Sequence, residues 1–187
     1  MLIQTLINQP QMLGTILRNT PPWVWGLLAG LVVLGLTQAK QRNASWARVA
    51  LLPAMMTAMS IWGTASAFGA SPLFGTVMLA WLVATVLVLA MVAPMAAPRG
   101  AAYDSASRTF RLPGSWVPMA LIVAIFLVKY VVGADLAMQP ALAYDAQYTL
   151  VAGALYGVFS GVFIGRAARL WRLAYHPAPA NGAALNA

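Results

Sequence analysis

Five apolar stretches, at residues 23–39, 47–68, 73–95, 115–134 and 148–170, dominate this chain and leave little between them but short polar loops. Each is close to the roughly 20 residues that a helix rising 1.5 Å per residue needs to cross about 30 Å of hydrocarbon. The fold expected is therefore all-α, an integral membrane bundle of five transmembrane helices. With 61% hydrophobic and only 7% charged residues, the chain departs from the soluble balance of about half apolar and a quarter charged. Its 187 residues suffice for one such bundle over 23–172, with no second domain.

Both ends read differently from the bundle. Residues 1–22 carry Leu2, Ile3, Leu6 and Ile7, then Met12, Leu13, Ile16 and Leu17, on either side of Pro10. That spacing predicts a short amphipathic helix lying in the membrane interface. Translation could begin at Met1 or at Met12, which repeats the "ML" opening, and the stretch lacks the charged start of a signal peptide. Residues 173–187 have too little large apolar surface to pack and are expected to be a mobile tail.

Orientation follows from the cations. Nine of the 11 Lys and Arg residues (Lys40, Arg42, Arg48, Arg99, Arg108, Arg111, Arg166, Arg169 and Arg172) fall on the side of the first loop, the third loop and the C-terminus. Cytoplasmic loops carry such an excess, so the expectation is a bacterial inner-membrane protein with its N-terminus out and its C-terminus in. Trp23, Trp25, Trp46, Trp116 and Trp171 near the span ends fit an aromatic belt.

Chemistry is scarce. There is no cysteine and no glutamate, one histidine (His176, in the tail), and three carboxylates, Asp104, Asp135 and Asp145. Disulfides, thiolate metal sites and iron–sulfur clusters are excluded, and acid pairs and Mg²⁺ cages are poorly supplied. No catalytic constellation, metal site or cofactor is expected. The net charge of +8 is explained by topology, so no nucleic acid is expected as partner.

Gly153, Gly157, Gly161 and Gly165 recur every four residues in the fifth span, a glycine zipper that lets two helix backbones approach closely. Packing against another span is the expectation, with Gly26 and Gly30 of the first span as candidate partner surface. A homo-oligomer or another membrane protein is the alternative. Tyr148, Tyr156, Phe159 and Phe163 form an aromatic stripe on another flank of that span; it reads first as packing and second as the lining of a cavity for a quinone, haem or lipid. One tail histidine disfavours haem.

Lys129 is the charge inside a span. It lies 14 residues past Ser115, about 21 Å along a core of about 30 Å. It either snorkels to the outer headgroups or pairs with a carboxylate. Asp135 is about 240° around the helix from it, whereas Asp145 in the return loop is freer to approach. With the hydroxyls of Thr57, Ser60 and Thr64 in the second span, these residues make a candidate polar site for a small transporter or channel. In the third loop, Ala102–Asp104 and 108–111 read as the arms of a small hairpin. Arg99, Arg108, Arg111, Arg166, Arg169 and Arg172 form a basic inner rim suited to anionic lipids.

The stretches "TPPWVWGLLAGLVVLGLTQAKQR", "RVALLPAMMTAMSIWGTASAFG", "FRLPGSWVPMALIVAIFLVKYVVG" and "GVFSGVFIGRAARL" resemble an uncharacterised family of small proteobacterial inner-membrane proteins. That resemblance implies the same multi-span fold and no particular activity. "ARVALLPAMMTAMS" and the basic loop bear a fainter likeness to membrane proteins linked to cytochrome c biogenesis. The functional expectation is a non-enzymatic membrane protein that packs or binds a partner, with transport as the alternative.

Overall fold

The structure, a computed structural model, describes residues 18–105 and 107–175. The expected interfacial helix, apart from residues 18–22, and the expected tail beyond residue 175 lie outside the described residues.

Five helices carry the fold: α1 (Pro22–Ala39), α2 (Trp46–Phe68), α3 (Phe74–Val92), α4 (Val117–Met138) and α5 (Ala146–Tyr175). All five are long and apolar enough to cross a membrane. The chain is thus a multi-pass membrane protein by the length and composition of its helices. Local chemistry sets the helix ends. Pro22 stands in the first turn of α1, where its missing N–H is not needed. Ser45 Oγ accepts from the Arg48 amide at the start of α2, and Asp145 Oδ1 accepts from the Tyr148 amide, 2.6 Å away, at the start of α5.

The helices fall into two groups. In one, α5 packs along α3 and against α2. Phe68, Val77, Trp81, Ala152 and Tyr156 form its core, which Val132 of α4 joins from the other group. The other group is α1 with α4, closed at one end where Gly35 sits against Met119 and the Ser115 amide donates to the Gln38 carbonyl. At its other end the Thr20 and Tyr130 hydroxyls hydrogen-bond at 2.6 Å.

The α3–α5 contact shows why four glycines stand in register. A Cβ at Gly153 would lie 2.6 Å from the Val77 carbonyl oxygen, one at Gly161 2.7 Å from that of Thr85, and one at Gly165 2.8 Å from Val92 Cβ. At Gly157 it would strike the Trp81 carbonyl. The backbones touch, and Thr85 Oγ1 uses that closeness to donate to the carbonyls of Trp81 and Gly157, at 2.7 and 3.1 Å. Gly26 and Gly30 are not the partner surface: a Cβ at either meets nothing within 4 Å. The partner is a row of valine, alanine and backbone atoms, which offers close approach without glycines of its own.

A three-stranded antiparallel sheet modifies the all-α expectation. β1 (Arg42–Ser45), β2 (Ala102–Asp104) and β3 (Thr109–Leu112) are ordered β1-β3-β2. The first basic loop, read as a turn, supplies β1. The second hairpin arm begins at Thr109 rather than at residue 108, because Arg108 adopts a positive φ of 50° in the turn. Phe110 faces Ala44 on one side and Tyr103 on the other and is fully buried. With Ala44, Val49 and Ala167 it forms a second small core. Trp46 stacks on Trp171 beside it, ring centres 5.8 Å apart. These two tryptophans therefore pack on each other within the chain, while Trp23 and Trp116 remain exposed.

Candidate functional site

Between the two helix groups lies a cavity of about 1070 Å³, walled by α1, α2, α4 and α5. Trp23, Leu27, Met59, Ile122, Phe126 and Phe163 make most of its surface apolar. Few polar groups face it, among them Ser60, Lys129, Tyr130, Asp135 and Ser160. Size, apolar walls and a few convergent polar groups are features that ligand sites share.

Lys129 stands near the middle of α4 and its side chain crosses toward the other helix group. Its ammonium lies 4.5 Å from the centre of the Tyr156 ring on α5. It also sits directly over Gly63 of α2, where a Cβ would be 2.5 Å from Nζ. Glycine at 63 makes room for the cation. The tip thus turns toward α2 and α5, and among the described residues Lys129 forms no ion pair with Asp135 or Asp145.

The chain matches the family model described as "Family of unknown function (DUF6622)" over residues 1–181. The chain belongs to this family. Comparison with curated proteins and with solved structures finds no match. Membership in DUF6622 thus extends over nearly the whole chain, cavity included, and brings no activity with it.

The remaining candidate residues of this DUF6622 chain are distributed differently from the sequence expectation. Asp135 is buried and accepts a hydrogen bond from Tyr148 Oη at 3.3 Å. Because α4 continues unbroken to Met138, Asp135 stands about 9 Å further along the helix axis than Lys129, and both border the cavity. Asp145 caps α5 instead of reaching for Lys129. Ser60 Oγ accepts from Trp81 Nε1 at 3.1 Å, and Thr64 Oγ1 donates to the Ser60 carbonyl at 2.8 Å. Thr57 Oγ1 is buried without a hydrogen-bond partner among the described residues. Only Ser60 of these three hydroxyl residues borders the cavity, so they do not form a continuous polar stripe along it.

The basic rim is partly structural. Arg172 Nη1 donates to the Ala93 carbonyl at 3.0 Å, and Arg169 donates to the Ala96 carbonyl. These cations cover unpaired carbonyls just beyond α3, where positive charge complements the helix dipole. Arg42 donates to Gln38 Oε1 at 2.9 Å, and burial, together with Arg48, holds its guanidinium below its ordinary value.

Sequence reasoning missed Gly133, Trp23 and Tyr130 as cavity residues, and Gly63 as the residue beneath Lys129. Gly63 had no periodic partner to draw attention to it. A Cβ at Gly133 meets nothing within 4 Å although the residue borders the cavity, a property that only the arrangement of neighbouring helices creates.

Proposed function

We propose that this protein is a non-enzymatic, multi-pass protein of the bacterial inner membrane that holds an amphipathic molecule between its two helix groups. The observation that carries the reading is the roughly 1070 Å³ cavity with a cation on its wall. Pockets of roughly 300–1,000 Å³ bury most of a drug-sized ligand, and the molecules available at this depth are membrane-soluble.

The test exploits Gly133. Gly133→Phe adds a side chain where space is open, so it fills the cavity without displacing backbone. Wild-type protein purified in mild detergent is expected to carry a near-stoichiometric apolar molecule, identified by solvent extraction and mass spectrometry. The variant should lose most of it at an unchanged thermal midpoint. Equal guest content in both proteins, or none in either, defeats the reading.

Transport is the second reading, favoured by one observation. A smaller cavity of about 450 Å³ adjoins the large one, and Lys129, Gly133, Ala137 and Tyr156 border both. The Lys129 side chain would then be a bar between two chambers, and relative motion of two helix groups about a central site is a recognised route to alternating access. A guest that binds but never crosses the bilayer of a reconstituted vesicle rules this reading out.

The orientation we propose, N-terminus out and C-terminus in, rests on the cation distribution. The absence of native cysteine makes it simple to test. Ala70→Cys should react with a membrane-impermeant maleimide in intact cells, and Ser105→Cys only after lysis. The reverse pattern inverts the topology.

A further inference from the structure

We propose that the guest carries an anionic head, a carboxylate or phosphate, which pairs with the Lys129 ammonium while its hydrocarbon body lies against Trp23, Phe126 and Phe163. This rests on the cavity reading and deepens it by naming the ligand's charge.

The Lys129 side chain is half-buried beside the apolar walls of the cavity, where partial loss of water without a counter-ion disfavours an ammonium. The Tyr156 ring face lies 4.5 Å away, a cation–π contact that offsets part of that cost. An anion in the cavity would offset the remainder. The nearest carboxylate along α4, Asp135, borders the same cavity but lies six residues further on, about 9 Å along the axis, and among the described residues it forms no ion pair with Lys129. Its Oδ2 already accepts from Tyr148. Asp145 is held as the cap of α5. The positive charge at Lys129 is therefore open toward the cavity, and Gly63 keeps the neighbouring helix clear of it.

Volume selects the source of the anion. A small inorganic ion would leave most of about 1070 Å³ empty beside aromatic and aliphatic walls, whereas an acyl chain would fill it and be stabilised by each buried CH₂. Hence the expected occupant is an anionic amphiphile.

The experiment measures binding of radiolabelled oleate to the purified full chain in non-ionic detergent, with unlabelled oleyl alcohol and inorganic phosphate as competitors. A charge-assisted pairing predicts that oleate binds about tenfold or more tightly than the alcohol and that phosphate competes poorly. Lys129→Met should erase the preference and Lys129→Arg should keep it. Equal affinity of oleate and alcohol on the wild type, with both lost in Gly133→Phe, overturns the anionic head while leaving the cavity reading intact. Strong competition by phosphate overturns the amphiphile, and no binding of either lipid overturns both readings. The wild-type comparison decides the matter even if a Lys129 variant fails to fold.

Discussion

Gly157→Leu is expected to lower the thermal midpoint of the purified protein by roughly 6–12 °C, corresponding to about 3 kcal/mol, the upper end of overpacking effects, in a chain of this size. The reason lies in what the new side chain would meet. A Cβ at this position strikes the Trp81 carbonyl and comes within 2.9 Å of Ala84 Cβ. Neither atom can rotate away, so α3 and α5 have to separate along the contact that joins them. Separation also strands the Thr85 hydroxyl, which donates across the same interface to the Gly157 carbonyl. Gly26→Leu is the matched control: it introduces the same side chain into open space and should shift the midpoint by no more than a degree or two. Similar midpoints for both variants would refute the close-packed role of the stripe. Because α3 already covers these glycines, the stripe offers no free surface to a second copy of the chain.

The particular residues explain which parts of this fold a sequence can disclose. Lipid imposes a one-dimensional rule, that each crossing needs its own apolar run, and so the five helices are legible from hydropathy alone. Which helix faces which is a three-dimensional question. The glycine stripe at 153–165 announces a close contact, but Val77, Trp81, Val88 and Val92, which receive it, look like any lipid-facing surface. Gly26 and Gly30 looked more suitable and face open space. β1 was hidden for a different reason: of Arg42–Ser45 only Ala44 is buried, so no alternating pattern marks it, and its pairing comes from β3. At the candidate site Lys129 was conspicuous, whereas its surroundings were not. The direction of its side chain depends on a glycine in α2 and a tyrosine in α5, far away in sequence and aligned only by the packing of α5 onto α2.

The small sheet gives the remaining strong expectation. Phe110 has no exposed surface, lies with its ring centre 4.8 Å from that of Tyr103, pairs with Ala44 across the sheet, and belongs to the same core as Val49 and Ala167. Short strands are marginal alone, and here one aromatic residue packs them onto α2 and α5. Truncating a buried Phe to Ala costs about 3–5 kcal/mol. For Phe110→Ala that loss falls on the sheet rather than on the bundle, since the core around Trp81 and Tyr156 is separate. The prediction is therefore local opening with the helices retained. Cleavage by trypsin after Arg111, which is paired with both Asn43 and Ala102 in the wild type, should accelerate about a hundredfold or more, because each 1.4 kcal/mol of opening free energy is a factor of ten. Arg99 lies outside the sheet, so cleavage after it should change little and serves as the internal reference. If Arg111 stays as protected as in the wild type while Arg99 is cut normally, the sheet is held by its backbone ladder and its connections to α2 and α4, and Phe110 is not its anchor.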